Sequence, residues 1–175
     1  MSRLNGTKVL LGPSTFGAAD PTPVERLKAA GCTIIHNPYK RKIEKHELLK
    51  LLTEDVPGLI AGLETLDREV LEKTKLKVIS RCGAGTSNID LVVAERLNIK
   101  VHSTPDGPTT AVAELTLGAM LSLLRMIPQM NQDLHSGKWT KKIGVQLEGK
   151  TVVIVGFGRI GQKVARLLKP FHVKC

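Results

Sequence analysis

The chain has 175 residues, 42% of them hydrophobic, three cysteines and a formal charge of +10. That length and apolar content allow one or two domains with a sizeable core, while an odd set of cysteines without paired spacing (Cys32, Cys82, Cys175) excludes a secreted disulfide scaffold. The positive charge attracts anions in general, but the basic residues are dispersed. The clusters Lys40-Arg41-Lys42 and Lys141-Lys142 carry no interleaved aromatics, so no nucleic-acid partner is read from them.

The opening MSRLNGTKVLLG holds no apolar stretch long enough for a secretory signal, and a cytoplasmic location is expected. From there, short apolar runs at 9–11, 33–35, 59–61, 78–79 and Val101 read as strands, with amphipathic helices at 24–30, 44–52, 68–73 and 89–97 between them. Thr22-Pro23-Val24-Glu25 fits a capping box with proline at the first helical position, and Gly31 fits a helix stop. Ser87-Asn88-Ile89-Asp90 is a second capping signal. Five strands alternating with four helices predict a parallel, helix-covered sheet. Ligands of such sheets sit beyond the carboxyl ends of the strands. That singles out Cys82-Gly83-Ala84-Gly85, which follows the fourth strand and is expected to open the fourth helix.

A long helix is expected from Thr110 through Ile127, apolar on nearly every side and checked by Pro128. Such a helix must be buried on several sides, between domains or between subunits. Its apolar stretch is too short, and too interrupted by Thr116, Gly118, Ser122 and Arg125, to span a bilayer, so no membrane partner is read. A loop over 136–149 leads to TVVIV (151–155), which reads as a fully buried parallel strand. Gly156-Phe157-Gly158-Arg159-Ile160-Gly161 follows, then Val164, Ala165, Leu167 and Leu168 at helical spacing. Strand, glycines, helix is the context a dinucleotide fingerprint requires. Gly156 permits the tight turn, Gly158 a close approach of backbone to pyrophosphate, and Gly161 close packing of helix on strand, while the helix N-terminus offers N–H groups and partial positive charge. The next strand is expected over 171–175, and the acidic residue that would hold the adenosine ribose, about 20 residues or slightly more past the motif, would fall beyond Cys175. GVQLEGKT (144–151) matches a P-loop pattern, but its lysine and threonine open a strand rather than a helix, and the match is rejected. The five histidines show no metal-ligand spacing, and no metal site is read.

Four segments together resemble the D-isomer-specific 2-hydroxyacid dehydrogenase family, in particular its phosphoglycerate dehydrogenase and hydroxypyruvate reductase branches. They are LKVISRCGAGTSNIDL (76–91), VHSTPDGPTTAVAELTLGAMLSLLR (101–125), SGKWTKK (136–142) and LEGKTVVIVGFGRIGQKVA (147–165), in the family's order and spacing. The resemblance implies a flavodoxin-like parallel-sheet substrate domain over 1–103, then, over 104–175, a long connecting helix and the beginning of a Rossmann NAD-binding domain. It implies that the backbone of Gly83, Ala84 and Gly85 holds a substrate carboxylate. Arg159 and Ile160 match positions on the cofactor pyrophosphate, and Val112 a position lining the nicotinamide pocket. It also implies NAD as cofactor, a small 2-hydroxy or 2-keto acid as substrate, and a homodimer formed through the long helix. The family's histidine, glutamate and arginine lie well after the glycine motif, so no catalytic residue is assigned here, and the 175-residue chain alone is expected to be inactive. The reaction expected of the family is oxidation of the CH–OH of a D-2-hydroxy acid, phosphoglycerate dehydrogenase-like as in serine biosynthesis. The alternatives are a hydroxypyruvate or glyoxylate reductase and a non-catalytic, dimerising or ligand-binding homologue. Gly62 stands where phosphoglycerate dehydrogenases often carry an arginine for the substrate phosphate, leaving Arg41 or Lys42 to substitute. NAD and NADP are not distinguished.

Overall fold

The computed structural model describes residues 4–174. They form two compact units, Met1–Pro105 and Asp106–Cys175. The first holds five parallel strands, β1 (Lys8–Leu11), β2 (Thr33–His36), β3 (Gly58–Ala61), β4 (Val78–Arg81) and β5 (Lys100–Ser103), in the order β2-β1-β3-β4-β5. Its helices are α1 (Thr22–Ala29), α2 (Lys45–Leu51), α3 (Arg68–Lys73) and α4 (Leu91–Arg96). This is the flavodoxin-like order, whose direction of winding reverses between β1 and β3. Right-handed crossovers on either side of the reversal send helices to opposite faces. Accordingly, the registered row Ile35, Leu10, Leu59, Ile79 and Val101 packs against Leu48, Val70 and Val93 of α2, α3 and α4. Val9 and Leu11, one residue out of phase, face the other way onto Val24 and Leu27 of α1.

Helices lie on both faces, as expected, but unevenly. Among the described residues α1 alone packs on the second face, and a groove of about 530 Å³ lies open along Gly58, Ile60, Val78 and Ser80, with Val78 40% exposed. Both capping expectations are also corrected. Thr22 is the first residue of α1 rather than its cap, and its N–H donates to Asp20 Oδ1 (3.0 Å). The cap of α4 is Asp90, accepting from Val93 N (3.0 Å), so Gly83–Gly85 do not open that helix. The capping box instead lies at α2, between Glu44 and Glu47.

The second unit holds α5 (Thr109–Leu124), α6 (Ile127–His135), α7 (Arg159–Leu168) and a 3-10 turn, Lys169–Phe171. The helix expected over 110–127 ends three residues early, at Leu124, and α6 beyond it was not read from the sequence. Met126 adopts a left-handed conformation (φ 56°), and α6 starts afresh with Pro128 in its first turn, the position where a missing N–H costs nothing. Among the described residues no single helix is long and apolar enough to cross a membrane, and α5 and α6 meet at 65°. Within its unit α5 packs one face on α7, where Ala113 is fully buried with Leu147, Val164 and Leu168, while Leu115 (72%) and Leu123 (66%) stay exposed. The expectation of a buried strand at 151–155 is likewise corrected. Among the described residues one parallel bridge forms, Thr151 to Lys174, and Val153 and Val155 are 82% and 96% exposed while Val152 and Ile154 pack inward. A central parallel strand needs ladders on both edges and cover on both faces, and the described residues of this unit supply one bridge and one face. Residue 175, part of the expected next strand, lies outside the described residues.

Candidate functional site

Each unit carries one candidate site. In the first, the reversal between β1 and β3 opens a cleft of about 380 Å³ past the carboxyl ends of β1, β3 and β4, walled by Gly12, Arg41, Lys42, Gly62, Glu64 and Arg81. Asn37, at the end of β2, ties the rim together: its amide donates to Gly12 O (2.6 Å) and Arg41 O (2.8 Å), and its own side-chain oxygen accepts from Tyr39 N (2.9 Å). Arg41 lies 5.3 Å from the Tyr39 ring centre and forks onto Glu47, Nη1 to Oε2 at 2.9 Å and Nη2 to Oε1 at 2.6 Å. Those bonds hold the Arg41 guanidinium above its ordinary pKa and the Glu47 carboxyl below its own. Arg41, about half exposed, is thereby tied to Glu47, and among the described residues nothing pairs with Lys42, exposed at the rim.

The Gly83-Ala84-Gly85 loop leaves β4 beside this cleft. Gly83 has φ +137°, and a side chain there would meet Arg81 Nη1 at 2.6 Å, so the position requires glycine. Its N–H donates to Arg81 O (2.9 Å) and Thr104 Oγ1 (3.1 Å), and its carbonyl accepts from Thr104 N (3.0 Å). Gly83 is therefore an anchor. Among the described residues nothing accepts from the N–H groups of Ala84 and Gly85, both exposed. Of the three residues expected to hold a carboxylate, these two present free donors. Sequence reasoning missed Thr104 as the clasp and Glu64 as a cleft wall. A polar residue just past each strand end was the available signal, and burial of the Glu64 side chain (1% exposed) was not readable from a loop position.

In the second unit Gly156 (φ +88°) makes the tight turn, Gly158 caps α7, and Gly161 is the close-packing point. A Cβ at 161 would lie 2.4 Å from Gly156 O and 3.2 Å from Ile154 Cγ2, whereas nothing lies within 4 Å of one at 158. The first-turn amides of α7, at Arg159, Ile160 and Gly161, have no intrahelical acceptor and point out of the helix end. Arg159 Nε pairs with Asp106 Oδ1 at 2.8 Å, which brings the approach to α5 beside the glycine turn. Val112 sits one turn into α5, half-buried, with its carbonyl accepting from Thr116 Oγ1. Asp106 went unread because its partner lies 53 residues away on another element. A glycine turn with a free path to backbone N–H groups and a cation beside it is chemically suited to a pyrophosphate.

Residues 15–165 match the family model described as D-isomer specific 2-hydroxyacid dehydrogenase, catalytic domain. A D-3-phosphoglycerate dehydrogenase of Sus scrofa is 38% identical over 99% of this chain and 32% of its own length. A hydroxypyruvate reductase of Thermotoga maritima is 39% identical over 75% of this chain and 44% of its own. The chain thus spans about a third to under half of these curated relatives. Among solved structures, an NAD+-bound 3-phosphoglycerate dehydrogenase from Entamoeba histolytica superposes with a TM-score of 0.75 at 26% identity, over 97% of this chain and 52% of that one. With the strand-end cleft, the glycine turn and the sequence likeness all agreeing, this chain belongs to the D-isomer specific 2-hydroxyacid dehydrogenase family.

Proposed function

We propose that this chain supplies the acid-binding loop and the pyrophosphate turn of an NAD-dependent oxidoreductase acting on the CH–OH group of a D-2-hydroxy acid. The observation that carries the reading is the pair of free donor sets. One is the Ala84 and Gly85 amides past β4, and the other is the first-turn amides of α7 behind a glycine turn that tolerates no side chain at 161. The first set suits a carboxylate, as oriented backbone N–H groups do, and the second a diphosphate. NAD, when bound, supplies a hydride acceptor at its nicotinamide. The residues of this chain bind and orient: Gly158 leaves room for the phosphate, Arg159 and the Ile160 amide face it, and Val112 lines the nicotinamide side.

The apolar face of α5 around Leu115 and Leu123 is the surface through which a second copy of this chain associates. Large contiguous apolar faces of this kind mark association sites. The test is an isotope-edited NMR titration of the chain with NAD+ and, separately, with pyruvate as a minimal 2-keto acid. NAD+ is expected to move the amides of residues 156–161 with millimolar affinity, roughly −4 kcal/mol, and pyruvate those of Ala84 and Gly85. Saturating pyruvate that leaves both amides unmoved would overturn the reading of the first site. Unmoved amides at 158–161 under NAD+ would overturn the second.

A further inference from the structure

We infer that Asp106 is a built-in counter-ion of the pyrophosphate turn: it pairs with Arg159, competes with a diphosphate for that cation, and so lowers the affinity of the turn. Uptake of a dinucleotide is then an exchange of one anion for another. This rests on the reading that the glycine turn and the first-turn amides of α7 receive a diphosphate. Asp106 opens the second unit, two residues before the cap of α5. Its carbonyl accepts from Thr109 N (3.2 Å), which fixes the chain that carries the carboxylate. Arg159 is the first residue of α7, directly after the Gly158 cap, and α7 is held in place by the buried Val164 and Leu168. The side chains meet at 2.8 Å, Arg159 Nε to Asp106 Oδ1, and among the described residues neither has another charged partner. Both face solvent, 64% and 81% exposed.

A guanidinium carries its donors in a planar fork, and a carboxylate on Nε leaves those of Nη1 and Nη2 for a phosphate. With Asp106 against it, however, Arg159 offers that phosphate little net charge. Two anions on one guanidinium stand at most about 8 Å apart, since each lies about 2.8 Å from its nitrogen. That is no longer than the Debye length at physiological salt. In water, repulsion at this distance is worth about twofold in affinity for each phosphate charge. The carboxylate is nonetheless displaceable, because an exposed pair is weak and a diphosphate brings two charges, bidentate geometry and the pull of the α7 amides. Once released, Asp106 still stands before the N-terminus of α5, where negative charge is favoured.

The full chain is titrated with NAD+, with inorganic diphosphate and with adenosine, read at the amides of residues 158–161. Asp106→Asn keeps the shape and removes the charge. At about 0.01 M salt it is expected to tighten NAD+ and diphosphate by at least about threefold and to leave adenosine unchanged. Most of that gain is expected to vanish at about 1 M salt, where screening weakens pairing and repulsion together. In an Arg159→Ala background the gain is expected to fall by about half, because repulsion remains but competition does not. In the wild-type chain, the Asp106 carboxylate carbon signal is expected to move with the same midpoint as the amides when diphosphate is added, a readout that needs no variant. NAD+ bound equally or more weakly by Asp106→Asn, a gain shared by adenosine, a gain left whole by Arg159→Ala, or an unmoved carboxylate signal each overturns the proposal and leaves the reading of the turn intact. Amides at 158–161 unmoved by NAD+ and by diphosphate overturn both.

Discussion

Gly161→Ala sets two effects of opposite sign against each other. Alanine replaces a poor helix former within α7, a gain of about 1 kcal/mol in a helix interior. Against it stands the 2.4 Å separation between the new Cβ and Gly156 O. Carbon–oxygen contacts close at about 3.3 Å, so the shortfall is about 0.9 Å. The atom that would have to move is a backbone carbonyl in a turn already at φ +88°. The alternative is for α7 to retreat, which loosens Val164 and Leu168, 5% and 0% exposed, each worth about 1.5–3 kcal/mol when fully buried. Overpacking of this kind costs about 1–3 kcal/mol, and a backbone carbonyl in the way puts this site in the upper half of that range, so the net expectation is a loss of about 1–2 kcal/mol. Native-state hydrogen exchange at residues 164–168 reads it directly, as exchange about 5–30-fold faster than wild type. Gly158→Ala is the control: no atom lies within 4 Å, and its φ of −77° suits alanine. The weaker N-cap and the stiffer unfolded chain roughly cancel there, leaving exchange near wild type. Unchanged or slower exchange in Gly161→Ala would refute the close-packing argument.

Three further outcomes are expected. Glu47 is held below its ordinary pKa, first by the Arg41 hydrogen bonds. Its contribution to stability is therefore present above about pH 4.3 and lost as pH falls through its lowered folded value, so in urea titrations Glu47→Gln should flatten the acid limb between about pH 5 and 3. Part of the slope should survive, because Asp67 and Glu69 are lowered by Lys45 in the same way. Asp90→Ala removes the α4 cap and should cost about 1 kcal/mol, whereas Ser87→Ala, in the exposed turn before it, should stay within about 0.5 kcal/mol. Finally, Leu115→Glu combined with Leu123→Glu should shift the chain toward monomer in light scattering, and a wild-type chain already monomeric at high concentration would sink the proposed association through α5.

The first unit was largely legible because β1 to β4 each contain a short apolar run, and turn residues and helices alternate with them in a regular order, so that Val101 alone sufficed to place β5. What escaped was decided by competition or by distance. Several polar residues precede α4, and the one whose oxygen meets an N3 amide is Asp90, a choice made by backbone geometry rather than residue type. Pro128 is equally good at ending one helix and starting the next, and the left-handed Met126 settles it, a conformation no methionine advertises. TVVIV has the composition of a central strand, yet strand formation is a property of neighbours. At the candidate sites, the glycine turns were visible because glycine does what no other residue can. Glu64 was not, because burial of a loop carboxylate depends on two glycines, one of them 52 residues away.

The reversal between β1 and β3 has a thermodynamic consequence. The walls of the cleft come from the ends of three strands, with Gly12 and Gly62 separated in sequence by α1, β2 and α2, and Gly62 and Arg81 by α3. The cleft therefore exists only when the middle of the sheet is assembled, and no partly formed strand pair can offer it. Any small acid held there stabilises the whole unit at once rather than one loop. The gain follows RT ln(1 + [L]/Kd), about 1.4 kcal/mol at roughly ten times Kd. Even a millimolar ligand would then be visible as a rise in melting temperature, and thermal shift becomes an assay of occupancy for this unit without any turnover.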